Sequence, residues 1–379
     1  MDEKDFLRKL KAQKQKNRGV IIFLIMFFAG FAIGTGIQAQ SNQGEILFTI
    51  AYSSEKESWM EEIKEPFLEW YSEKYPENIK LNIFPVGSRE SIFSILNGIY
   101  KPAIWSPASS VWIPIINSLW ANVSSGGGNI TNINNTAIFS PIVIATWKEF
   151  NDDPEINITS LQDIHDLSML PDSRIKMAHT DPTLSNSGFC SIIMAVAAAA
   201  KKNSSDLVYE DLLNLTIQDW MEGFESKAVL YGKSTGFLMR TMIDKGQDEL
   251  NVALMYESLI IDKGDLAQTG KIIAVYPEEG VIHSDHPFCI LDGADWMNPT
   301  LETISNRFIE YINTNEALIK ATERGFRVYD SNITLPAEKF NPDKGVLYDI
   351  SNVTKMEVPN EWKFVENVEH LWTVSRPVF

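Results

Sequence analysis

Residues 175 to 202 read IKMAHTDPTLSNSGFCSIIMAVAAAAKK. The opening IKMAHTD has the short, largely apolar character of a strand buried on both faces. DPTLSNSG then gathers Asp, Pro, Thr, Ser, Asn and Gly into one stretch, which is a turn by composition. The Ala-rich run SGFCSIIMAVAAAA reads as a helix, and Lys201 and Lys202 place positive charge at its C-terminal end. A buried strand that passes through a hydroxyl-bearing turn into a helix is the unit of an open α/β sheet.

The same rhythm runs outward in both directions. EILFTIAYS (45 to 53), IKLNIFPV (79 to 86), AIWS (103 to 106), IVIATW (142 to 147), VALMYE (252 to 257), KIIAVY (271 to 276) and PFCIL (287 to 291) are further strands, separated by helix-like stretches. The class is α/β. Trp59, Ile63, Phe67 and Trp70 recur at spacings of four, four and three and predict one apolar helix face, with a kink at Pro66. Residues 301 to 325 read as one or two helices ending at Gly325. Ser124 to Thr136 is a low-complexity surface loop. Beyond Asp330 the rhythm is lost, and 331 to 379, with Trp362 and Trp372, reads as an extension packed on the rest.

The chain has 379 residues and a formal net charge of −17. Its N-terminus stands apart. Residues 19 to 40 are uncharged, and Gly19 to Gln38 is an apolar run long enough for a bilayer core. Residues 1 to 18 carry seven Lys/Arg against three acids, which keeps them cytoplasmic by the positive-inside rule. The expectation is a single-pass signal anchor in the cell membrane with the C-terminal domain extracellular. The competing reading is a cleaved secretory signal, since small and polar residues follow the run. Either exports the remainder, whose charge of about −21 excludes nucleic acid and anionic membrane faces as partners.

Eight N-x-Ser/Thr sequons, at Asn122, Asn129, Asn134, Asn157, Asn203, Asn214, Asn332 and Asn352, are glycosylation candidates that agree with this topology. Together they point to an archaeal cell surface. The two cysteines, Cys190 and Cys289, sit among apolar residues and read as buried thiols, with a disulfide as the alternative.

Catalytic signatures are missing. G-x-S-x-G, H-E-x-x-H and the P-loop pattern do not occur, and no motif calls for a cofactor. His283 and His286 stand three apart, but no further ligand set accompanies them and Pro287 interrupts any helix, so no metal site is expected. The protein reads as a non-enzyme; an exported hydrolase is the weakest of the readings.

What does recur is a hydroxyl-rich turn where a strand gives way to a helix. Ser53-Ser54 follows the first strand, Gly87-Ser88 the second, SPASS (106 to 110) the third, DPTLSNSG (181 to 188) the fifth, and GKSTG (232 to 236) lies beyond. Ligands of open α/β sheets bind outside the carboxyl ends of strands, where helix N-termini offer free N–H groups. Any one of these turns is plain N-capping; the series suits a small polar or anionic solute. Arg89 and Lys233 are candidate partners for a carboxylate or phosphate.

In this order YKPAIWSPASSVW, SPIVIA, HTDPTLSNSG, YGKST, MYES, AVYPEEGVIHSDHPF and RFIEYINT…RGFRVYD resemble the type II periplasmic-binding-protein family. More narrowly, they are similar to ABC-type extracellular solute-binding proteins of the molybdate/sulfate-binder-like group, including those associated with von Willebrand factor A domains. The likeness runs from about Glu45 to Asp330. It implies two α/β lobes joined by crossing strands, one of 45 to 140 with 287 to 330, the other of 141 to 286, closing on a solute by a hinge. Carried over position by position, it implies ligand contacts at Ser53, Ser54, the turn from Ser106 to Ser109, Asp181, Ser185, Ser187, Gly188, Tyr256 and Glu257; Ser88 and Ser234, taken from the series of turns, complete the candidate set. The expected role is the capture component of an ABC importer, with a permease as partner. The alternative is a membrane-anchored interaction or sensory module that uses the same fold with a protein such as a von Willebrand factor A-domain partner.

Overall fold

The computed structural model describes residues 44–123 and 127–377. The expected cytoplasmic tail and transmembrane segment lie outside the described residues. Among the described residues no helix is long and apolar enough to cross a membrane.

In chain order the main elements are β1 (Glu45–Ser53), α1 (Glu57–Lys74), β2 (Asn78–Val86), α2 (Ser88–Leu96), β3 (Ile104–Ser106), α3 (Trp112–Val123), β4 (Ile138–Trp147), α4 (Leu161–Ser168), β5 (Met177–Thr180), α5 (Asn186–Ala200), α6 (Leu215–Glu225) and β6 (Ala228–Gly232). There follow α7 (Thr235–Lys245), β7 (Val252–Tyr256), α8 (Glu257–Lys263), β8 (Ile272–Val275), β9 (Val281–Ser284), β10 (Cys289–Ile290), α9 (Pro299–Ile312), α10 (Asn315–Glu323), β11 (Arg327–Val328), β12 (Lys355–Met356) and α11 (Trp362–Ser375).

Two sheets result. The small one runs β10-β3-β1-β2, with β1 and β3 parallel. The large one runs β12-β9-β4-β7-β5-β6, and β8 and β11 also pair with β4. Its centre is mixed: β5 lies parallel to β6 and β7, and β4 antiparallel to β7. Every residue of β5 and β7 is buried, which is why these strands carry no alternating pattern. β4 lies wholly in the large sheet and β10 in the small one, so the chain passes between the sheets before β4 and after β9.

The helices follow their sequence signals. Trp59, Ile63 and Phe67 bury one face of α1, which continues through Pro66. Helix α5 is buried almost throughout and stops at Lys201, whose φ is 51°. The stretch 301–325 is two helices, and Gly325 follows them at φ +84°, where a side chain is disfavoured. Both cysteines are buried and unpaired.

The C-terminal extension is more regular than its sequence suggests. β12 adds to β9 in parallel, Lys355 opposite Val281, and α11 lies against α5 and α6. Phe364, Val368, Leu371 and Trp372 form its buried face, a helical spacing that polar neighbours masked.

Candidate functional site

The strand ends of the two sheets meet in one polar cluster, and most of it is buried. Asn186, in the first turn of α5, is the bridge. Its Oδ1 accepts from the Trp112 indole at 2.8 Å, and its Nδ2 donates to Tyr256 Oη at 3.0 Å and Ser284 Oγ at 2.9 Å. Trp112 belongs to the small-sheet side, and the other three to the large. Beside them Ser187 Oγ lies 2.7 Å from Thr180 Oγ1 and 2.6 Å from Thr235 Oγ1, and Gly188 N donates to Thr180 Oγ1.

Two helix N-termini are satisfied across the same seam. Arg89 N and Glu90 N, at the start of α2, both donate to Leu184 O, at 3.2 and 3.3 Å. Gly236 N, at the start of α7, donates to Ser54 Oγ at 3.2 Å. These are the unpaired donors with which helix ends hold acceptors of a ligand. Glycine permits the approach: a Cβ on Gly87 would stand 2.7 Å from Leu184 O.

Beneath the first turn lies a buried charged group. Lys56 Nζ donates to Ser53 Oγ at 2.6 Å and to Pro107 O at 3.1 Å, and approaches His286 Nδ1 at 3.4 Å. His286 Nδ1 is 3.1 Å from Glu55 Oε1, which also accepts from Ser53 Oγ. Burial pushes Lys56 down to about 8, against the pull of Glu55. Burial alone would raise the Glu55 carboxyl, but the His286 bond and the Lys56 charge hold it below its ordinary range. His286 is pushed down by burial and by Lys56. Lys56 thus ties the turn after β1 to the turn after β3 and to the segment entering β10. Among the described residues no group of His, Cys, Asp and Glu is placed to hold a metal ion.

The residues singled out in the sequence divide. Ser53, Ser54, Ser88, Ser185, Ser187, Gly188 and Tyr256 enter the cluster; Ser88 Oγ accepts from Ala108 N, whose carbonyl takes His286 N. Ser106 ends β3 fully buried, and Ser234 stands at the N-cap position of α7 without a side-chain capping bond. Three turn elsewhere. Ser109 Oγ accepts from Val111 N in its own loop, and Asp181 Oδ1 accepts from Thr183 N and Oγ1. Glu257 follows Tyr256 directly, but its carboxylate forms a buried two-point pair with Arg327, at 2.8 Å for each contact. Lys233 lies exposed over the Phe237 ring, and Arg89 pairs with Glu369 of α11. The sequence reading missed Glu55, Lys56, Trp112, Asn186, Thr235 and Ser284; Asn186 and Thr235 lie in turns it singled out, and the other four outside them or on their flanks.

Residues 48–327 match the model of a family described as bacterial extracellular solute-binding protein. Among curated proteins none matches this chain. Solved structures similar to it include a periplasmic thiamin binding protein, with TM-score 0.61 and 13% identity over 90% of this chain and 100% of that one. The sulfate-binding protein SubI from Mycobacterium tuberculosis gives TM-score 0.55 and 14% identity over 81% and 93%. The periplasmic binding protein AfuA from Actinobacillus pleuropneumoniae, with fructose-6-phosphate bound, gives 0.57 and 13% over 87% and 97%. At these identities the likeness is one of fold.

Proposed function

The chain belongs to the family of bacterial extracellular solute-binding proteins, and on that footing we propose that it takes a small polar or anionic solute between its two sheets, at the loop ends around Asn186. The observation that carries this reading is the convergence there of strand ends and helix N-termini from both sheets, bridged by Trp112, Asn186 and Tyr256. The lobes of this reading are 45 to 140 with 287 to 330, and 141 to 286. Ser53, Ser54, Ser88, Ser185, Ser187, Gly188 and Tyr256 supply its ligand contacts, together with Asn186 and Thr235. The solute's acceptor atoms take the amides of Glu90 and Gly236 in place of Leu184 O and Ser54 Oγ. The protein delivers to the permease of an ABC importer, held at the membrane by residues 19 to 40. The asparagines of all eight sequons are exposed, which suits glycosylation at an archaeal surface.

Thermal unfolding of the full chain with a panel of oxyanions, sugars, sugar phosphates, amino acids and thiamin tests this. A true solute at a hundred times its Kd adds about 2.7 kcal/mol to stability and raises Tm accordingly. A panel that leaves Tm unmoved throughout sinks the reading.

One observation favours a second reading, an interaction module: the loop ends are already hydrogen-bonded to one another across the seam. On that reading the partner is a von Willebrand factor A-domain protein. Affinity capture from native membranes then recovers that partner and no permease.

A further inference from the structure

We propose that the C-terminal extension is a latch, in which Glu369 of α11 grips Arg89 of α2 and holds the small-sheet side closed on the large-sheet side until a solute competes. The inference rests on the proposed solute cleft and concerns what controls its opening. The extension lies beyond residues 48–327 that match the family model.

The attachment of this segment is unequal. To the large-sheet side it is fixed repeatedly: β12 pairs with β9, Lys344 Nζ donates to Ile261 O and meets Asp265, and Glu361 Oε2 accepts from Tyr209 N at 2.6 Å. Trp372 packs edge-on to Tyr231 with ring centroids 5.0 Å apart. To α2 beside the small sheet its polar hold, among the described residues, is the two-point pair between Arg89 and Glu369, whose side chains are 23% and 15% exposed. A forked pair of this kind is directional as well as attractive. Nearby, Phe93 and Trp112 face Phe189, Trp362 and Val365 around a cavity of about 290 Å³ that Arg89 borders.

The place of Arg89 gives the pair its leverage. Its own amide is one of the two that donate to Leu184 O across the seam. A carboxylate that fixes the guanidinium therefore also fixes the start of α2 against the loop before α5. An anionic solute reaching Arg89 meets a competing carboxylate already in position.

Spin labels at Glu69→Cys on α1 and Asp219→Cys on α6, both exposed sites, report the separation of the two sides in the full chain. Cys190 and Cys289 are buried and do not compete for label. The expected result is a longer-distance component in Glu369→Gln and in Arg89→Gln. The open-to-closed ratio should rise about two- to fivefold, which is what one such pair is worth. The charge-exchanged double variant, Arg89→Glu with Glu369→Arg, should return the parent distribution. Single variants with the parent's distances overturn the latch, as does a lower Tm with no change in distance, which marks a mere surface tie. No solute enters the measurement. A chain that answers the solute panel while its variants keep the parent's distances loses the latch alone, and one that fails the panel loses the cleft.

Discussion

The Trp112 indole donates to Asn186 Oδ1 at 2.8 Å, and this bond joins the N-terminus of α3 beside the small sheet to that of α5 beside the large one. The other end of the same amide serves Tyr256 and Ser284. Each of these residues is about 1% exposed or less, so none of their groups turns to bulk water when the amide is removed.

Asn186→Leu leaves an indole N–H and two hydroxyls buried without that partner. An unmet buried polar group costs about 1–3 kcal/mol, so the variant should lose at least about 2 kcal/mol in urea unfolding. A midpoint equal to the parent's contradicts the bridging role.

Glu257→Gln removes the charge that compensates Arg327. Both partners are buried, at 0% and 3% exposure, and Tyr276 also bonds the carboxylate. Breaking such a pair from one side costs about 3–5 kcal/mol, whereas replacing both partners with apolar residues recovers much of it. Chemical denaturation of Glu257→Gln and of Glu257→Leu with Arg327→Met should show that order. If Glu257→Gln keeps its stability, the carboxylate does not act through Arg327.

The contrast between Asn186 and Glu257 shows what the sequence made legible. Buried strands announce themselves by unbroken apolar runs, so 45–53 and 252–257 were readable nearly to the residue, and the hydroxyl-rich turns marked the strand ends. Direction was not legible. Tyr256 and Glu257 are adjacent, yet one enters the seam and the other turns to Arg327, because consecutive residues at a strand end project to different sides. A buried Lys56 cannot be told from a solvated one without its partners, and two of these come from residues 107 and 286, far off in sequence. β6, β9, β11 and β12 were missed because all four are short, and β9, β11 and β12 also carry polar residues.

Gly87→Ala tests the seam itself. Its Cβ would meet Leu184 O at 2.7 Å, a backbone atom with little room to yield. The turn must draw back, and Arg89 N and Glu90 N lose their shared acceptor. Overpacking of this kind costs about 1–3 kcal/mol. The sharper readout is amide exchange, which should quicken at residues 89 and 90 more than in β7. Unchanged protection there contradicts the cross-seam bonds.

His283 gives the fold a dependence on pH. Burial, and then the charges of Lys355 and Arg327, push it down to about 4, with Glu357 pulling weakly the other way; it stacks on Phe139. In the unfolded chain the imidazole takes its proton near pH 6.5. Between about 6.5 and 4 the unfolded state therefore binds more protons than the folded one, and stability falls as pH falls through that window. His286, also held low, acts in the same direction. The His283→Gln variant should lose part of this slope between pH 6.5 and 4 while keeping the parent's pH dependence above it. Urea midpoints for both proteins across that range decide the matter, and parallel curves would show that His283 is protonated alike in the two states.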